Sequence, residues 1–496
     1  MFNKKIISLF LVVILIAAFL LRVWRIDELL GFYYDQGRDA KIIWELWHQG
    51  KISLIGPTTG IEGIFRGPWY YWLIAPFYLL GNGNPVWPSV FLSLTTVAAT
   101  LLIYVIGVMV GGRVTGIVAA VISAFSFQLV YASRWLSNPT PMLLISMLLV
   151  LGMFLVLKGQ TVVWILIALM LGLALQFGSA AEVFYLPAVL IFSLWLALRS
   201  RQRRKLPNKK ILLISVSLFL ITLLPQIVFD FRHGGLLYHN ISQFLFEQKS
   251  FNQTTAWLLE RRFPLYFDTF GPLIFPTNSK LIQIFSFLIL VILLANIKRF
   301  LSNDKFVLLL TLLILPLIGL LFFRGNNGII YSYYFTGYYL IFVLIFSVII
   351  TSINSTQIGK LILGLFLWLF LQDNGSILGR HLNSNINNPD SIVLGNQKLA
   401  VDWVYQDTAG RNFGLDVYVP PVIPHAYDYL FLWRGTTRYH QTPVAEKIPL
   451  LYTLYEEDPP HPERLAAWLF RQKGIGKVLT EVKFGGITIQ RRERIK

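Results

Sequence analysis

The chain has 496 residues, of which 55% are hydrophobic and only 14% charged, and its mean hydropathy is +0.61. Soluble domains carry about 25% charged residues, so a soluble, disordered or collagen-like protein is excluded and a polytopic membrane protein is expected. There is no cysteine, which excludes disulfides, thiolate metal sites and a cysteine nucleophile. The net charge of +18 is assigned to topology-setting loops and anionic lipid head groups, not to nucleic acid.

Eleven apolar runs of about membrane-spanning length follow in chain order: 5–24, 86–110, 114–133, 139–157, 161–178, 182–199, 211–230, 280–298, 306–323, 333–351 and 357–372. The first follows Lys4 and Lys5 and has no small-residue cleavage site before Arg22. It reads as a signal anchor. An inside N-terminus places Arg113, Lys158, Lys298, Arg299, Lys305, Lys360 and a block of seven bases between Arg199 and Lys210 in the cytoplasm. An odd number of spans then leaves the C-terminus outside. The apolar stretch 68–81 is only 14 residues long and carries Trp69, Tyr70, Tyr71 and Trp72. It is predicted to lie flat at the outer head groups.

The expected fold is an all-α membrane unit, residues 1–372, with outer loops at 25–85 and 231–279. A small extracytoplasmic α/β domain, 373–496, is expected to follow. Its predicted helices are 397–406 and 461–473, its predicted strands 414–420 and 477–484, and 373–396 reads as a linker.

Span centres are nearly free of ionisable residues, which argues against a transporter. The candidate chemistry lies in the outer segments. The first opens with Phe32-Tyr-Tyr-Asp-Gln-Gly-Arg-Asp-Ala40, placing Asp35 before a predicted helix and Arg38 in its first turn, with Asp39 next. Aromatics precede Asp35, so a partly desolvated carboxylate is expected, a better proton acceptor than one in water. The plainer alternative is a helix-capping aspartate with a surface ion pair. Glu62 and Arg66 lie in Glu-Gly-Ile-Phe-Arg-Gly-Pro, just before Tyr70. Arg66 suits either a bound phosphate or a lipid head group. Arg134 and Asn138 share a tight turn. Arg232 and His233 stand where a span ends, a spacing that is a weak metal signal with His239. Arg324 and Tyr338 flank a tyrosine-rich stretch that also suits an interfacial belt. Glu182 reads as a helix-terminus charge.

The order of these elements carries a resemblance. It runs from signal anchor to aromatic–Asp–x–Gly–Arg, a helix ending in Gly, an aromatic–x–Gly-Pro-aromatic-Tyr-Tyr motif, Leu-Leu-Gly and a long span. This resembles the GT-C glycosyltransferases, particularly the dolichyl-phosphate-mannose–protein mannosyltransferases and the bacterial lipid A aminoarabinose transferases. The match is strongest over residues 1–160.

The resemblance implies a sugar transferase in a bacterial plasma membrane. Its donor would be a polyprenyl-phosphate sugar, and its acceptor a protein, lipid or glycan hydroxyl at the outer face. Asp35 would be the catalytic base. Arg38, Asp39, Glu62, Arg66, Tyr70, Arg134, Asn138, Arg232, His233, Arg324 and Tyr338 would bind substrate. Gln36 stands where the family usually has Glu, and Asn138 where an Asp is common. No cofactor is required, and a divalent metal is an option the missing acids weaken. A membrane polysaccharide polymerase or ligase is the alternative reading; a lipid-linked glycan transporter and a noncatalytic anchor are further from the motifs.

Overall fold

A computed structural model describes residues 4–61, 63–200, 202–244, 254–321, 323, 328–420 and 423–495. Among the described residues, six helices are long and apolar enough to cross a membrane: Lys4–Val23, Val86–Gly111, Lys209–Arg232, Asp304–Leu321, the turn and helix Ser332–Thr351, and Gln357–Leu382. A seventh candidate is the bent pair Arg113–Phe125 and Phe127–Arg134. Four shorter apolar helices, Met142–Leu157, Thr161–Phe177, Glu182–Leu198 and Ser279–Ala295, fill the remaining predicted runs. The stretch after Pro68 is the helix Trp69–Leu80, with Tyr70, Tyr71 and Tyr78 buried.

The bent pair turns by 57°, and its break has a physical cause. At Ser126 the helical ladder is interrupted, which frees carbonyls upstream and an amide downstream. The fully buried Arg22 donates to Ser123 O at 2.9 Å and Ala124 O at 3.3 Å. It also reaches Thr96 Oγ1 at 3.0 Å. The Phe127 N–H donates to Asn374 Oδ1 at 2.8 Å. Two polar side chains from distant helices therefore replace the missing backbone bonds. Asn374 explains a second departure from the expected boundaries. The last apolar helix continues to Leu382 rather than ending near 372, because Asn374 is buried and donates to Ile274 O and Phe370 O. Half of the predicted linker is thus helix.

The remaining chain forms a four-stranded mixed sheet of order β1-β2-β4-β3. Its strands are β1 (Gly414–Tyr418), β2 (Leu450–Glu456), β3 (Gly476–Phe484) and β4 (Ile487–Arg494). The first two pair in parallel, and the others antiparallel. Helices Leu394–Thr408, His425–Arg434 and Pro462–Ile475 pack around it. The domain sits on the segment predicted as the first outer loop: Tyr429 Oη donates to Gly83 O at 2.5 Å, and Trp433 Nε1 to Asn82 O at 2.8 Å.

The basic loops gather at the other end of the bundle. There Lys205 Nζ donates to Leu157 O and Lys305 Nζ to Met109 O, both at 2.6 Å. These lysines satisfy carbonyls at helix C-termini, where positive charge is favoured.

Candidate active site

A cavity of about 620 Å³ opens at the end of the bundle opposite the basic loops. Its walls come from five of the predicted outer segments. Asp35 and Arg38, on the helix Tyr34–Gln49, and Arg66, on a hairpin, enter from the first of them, Asn138 from the second, Ser179 from the third, Leu237 from the fourth and Tyr331 from the fifth, with Tyr333 and Tyr334 just beyond it.

Asp35 lies in the first turn of its helix, where a carboxylate is favoured by the exposed N–H groups. Its side chain is 58% exposed and accepts from Arg38 Nη1 at 2.9 Å. The expected desolvation is therefore not found: the aromatics before Asp35 turn elsewhere, and Arg38 orients the carboxylate instead. Asp39 sits behind Arg38, 4% exposed. Its Oδ1 accepts from Arg38 Nε at 3.0 Å, Arg38 Nη2 at 2.8 Å and Tyr71 Oη at 3.0 Å. Burial pushes the Asp39 carboxyl up to about 6, against the pull of Arg38. Burial also works against the charge on Arg38, but Asp39, Tyr71 and Asp35 raise its pKa above the ordinary arginine value. Every nitrogen of Arg38 is thus committed to a carboxylate.

Arg66 differs. It ends a hairpin closed by Gly56 N to Arg66 O at 2.7 Å and Arg66 N to Pro57 O at 3.1 Å. Its Nε donates to Gly178 O at 2.7 Å and its Nη1 to Thr58 O at 2.8 Å. Among the described residues nothing accepts from Nη2. Burial lowers the Arg66 pKa from its usual value, and Glu182, Tyr333, Tyr334 and Asp35 counter that effect. Asn138 is held nearby, with its Nδ2 donating to Phe177 O at 2.8 Å. The C-terminal carbonyls of one helix thereby fix both cavity residues.

Other expected residues lie apart. Arg134 points away, donating through Nη1 to Leu21 O, Arg22 O and Trp24 O at 2.9–3.2 Å. It caps the first helix. Tyr70 and Tyr338 are fully buried and do not line the cavity. Tyr338 Oη donates to Ala181 O at 3.0 Å. Arg232 and His233 are exposed beyond the rim, and His233 stacks on Phe229 at 4.0 Å. Glu62 and Arg324 lie outside the described residues.

Glu182 is more than a helix-end charge. It is buried and accepts from Ser179 N at 2.6 Å and Gly337 N at 2.9 Å. It thereby ties the tyrosine-rich turn to the cavity wall. Sequence reading also passed over Gln176 and Gln226. Gln176 Nε2 donates to Gln226 Oε1 at 2.8 Å, and Gln226 Nε2 to Phe65 O at 2.9 Å, which supports the hairpin carrying Arg66. A lone glutamine near the same end of each of two apolar spans was the available signal. Gln36 has a structural reason as well. Its Oε1 caps Tyr33 N at 3.0 Å while its Nε2 donates to Leu136 O at 3.1 Å. A glutamate has no donor for that carbonyl.

Among the described residues, no three His, Asp or Glu side chains converge as metal ligands. The exposed carboxylate is held by an arginine, a donor set that does not fit a divalent cation.

Comparison with solved structures places this arrangement. ArnT from Cupriavidus metallidurans, bound to undecaprenyl phosphate, superposes with a TM-score of 0.60 at 11% identity, covering 99% of this chain and 98% of that one. The chain has the GT-C fold. The oligosaccharyltransferase of Archaeoglobus fulgidus shares the GT-C arrangement at a TM-score of 0.53 and 12% identity, over 96% of this chain and 73% of that one. A complex of the same archaeal protein, AglB, with an inhibitory peptide and a dolichol-phosphate matches at 0.50 and 12% identity, over 96% of this chain and 74% of that one. The family model for dolichyl-phosphate-mannose-protein mannosyltransferase matches residues 66–229. That segment of the GT-C unit includes Arg66, Asn138 and Gln226. No curated protein matches the sequence.

Proposed function

We propose that this chain is a membrane glycosyltransferase that moves a sugar from a polyprenyl-phosphate donor to an acceptor hydroxyl, with inversion at the anomeric carbon. One observation carries the reading. A single cavity at one end of a GT-C bundle pairs an exposed carboxylate, Asp35, with an arginine, Arg66, whose Nη2 is unspent among the described residues. The lipid phosphates bound by two structural neighbours support the choice of donor.

The mechanism follows from these groups. Asp35 accepts the proton of the acceptor hydroxyl. The hydroxyl oxygen attacks the anomeric carbon from the face opposite the phosphate. The carbon–oxygen bond to phosphate breaks, and polyprenyl phosphate leaves with the electron pair. Arg66 stabilises the charge added to that phosphate. Arg38, anchored by Asp39, keeps Asp35 aimed. Phosphate is already a good leaving group, so no general acid is needed.

Inversion is checked by the anomeric configuration of the product. Nuclear magnetic resonance should show it opposite to that of the donor; retention would require a covalent glycosyl intermediate and would remove Asp35 from the role of base. We place the cavity on the extracytoplasmic face of a plasma membrane, since the basic loops lie at the other end. The exposed Glu446 of the C-terminal domain reports this directly. A Glu446→Cys chain should react with an impermeant maleimide on intact cells, and labelling only after lysis would reverse the orientation.

A further inference from the structure

The C-terminal domain is docked on the helix that carries Asp35. We propose that this domain is a working part of the active site, with Gln397 a positioning residue that aims Asp35. The catalytic consequence rests on the glycosyltransferase reading above; the mechanical one does not.

Gln397 is 1% exposed, and its Nε2 donates to Phe32 O at 2.9 Å across 365 residues of chain. Phe32 lies three residues before Asp35, where the chain enters the helix. Beside it, Leu394 N donates to Leu30 O at 2.8 Å. Behind Gln397, Tyr427 Oη donates to the buried Glu456 at 2.7 Å, so that among the described residues the Phe32 carbonyl is the one hydrogen-bond partner of the Gln397 side chain. The helix itself presses on the domain at Gly37. A Cβ there would lie 2.3 Å from Ala426 N, a distance no side chain tolerates. The domain thus fixes both the entry of the helix and one face of its first turn. Asp35 projects from that turn into the cavity. A buried carbonyl deprived of its donor relaxes toward another partner, and the carboxylate moves with it.

The test compares Gln397→Met with Gln472→Met in the full-length protein. Gln472 is buried in the same domain but bonds to Asp416 within it. Gln397→Met should lower kcat about tenfold or more, as expected for a misaimed catalytic group, with the donor KM nearly unchanged. Its backbone amides at 36–39 should exchange with deuterium faster than in wild type. Gln472→Met, corrected for its folded fraction, should leave both readouts at wild-type values. Gln397→Leu, which also removes the donor to Phe32 O, should move both in the same direction, and it decides the matter if Gln397→Met does not fold.

A normal kcat and normal exchange in whichever of these two variants folds would overturn the proposal. So would equal changes in Gln472→Met. Faster exchange at 36–39 in a protein that turns over no lipid-phosphate sugar would sink the glycosyltransferase reading and leave the positioning contact standing.

Discussion

Replacing Asp35 with asparagine is expected to lower sugar transfer by about 10²–10⁴-fold, the usual contribution of a positioned general base. The substitution keeps the shape and an oxygen for Arg38. Arg38 also remains anchored by two bonds to the buried Asp39. The cavity should therefore keep its form, and donor affinity should change little. The loss should fall on kcat, since the acceptor proton then has no carboxylate to receive it. Donor affinity by calorimetry and turnover on the same preparation separate the two effects. Full turnover by a folded Asp35→Asn chain would remove Asp35 as base.

The second large effect is expected at Arg66. Arg66→Ala should reduce kcat/KM for the donor by about 10²–10³-fold, the range seen when one preorganised donor to developing charge is removed. The reason is specific to this arginine. Arg38 spends its guanidinium on two carboxylates, whereas among the described residues Arg66 retains Nη2. The hairpin would also lose the contacts to Gly178 O and Thr58 O, so Arg66→Ala alone conflates binding with shape. Arg66→Lys resolves this. It restores charge without the planar fork and should recover part of the rate. An unchanged kcat/KM in Arg66→Ala would exclude contact with the phosphate.

The helices were legible because lipid demands long apolar runs with internally satisfied backbones. Each predicted run coincides with an apolar helix or helix pair, mostly within three residues at either end. The exceptions depend on contacts between distant segments. The break at Ser126 requires Arg22 and Asn374, and Asn374 in turn extends the last helix to Leu382. No local pattern announces either. In the C-terminal domain, β1, β3 and two helices were readable from their periodicity. β2, β4 and the helix His425–Arg434 were not, since they bury mixed polar and aromatic faces.

The site divides similarly. Asp35, Arg38, Arg66 and Asn138 converge on the cavity because motifs in short loops at one end of a bundle must meet. Arg134 sits four residues before Asn138, yet it caps a helix. Spacing cannot say which carbonyls an arginine will find. The tyrosine run is plain in the sequence, but Tyr331, Tyr333 and Tyr334 line the cavity while Tyr338 is buried against Ala181. That choice is made by Glu182 holding Gly337 N.

The most direct test is turnover of the purified protein with a panel of polyprenyl-phosphate sugars and candidate acceptors, beside its Asp35→Asn variant. Release of polyprenyl phosphate by wild type, with at least a hundredfold less from the variant, is the predicted result. Equal release by both proteins, or no binding and no release with any donor, would contradict it.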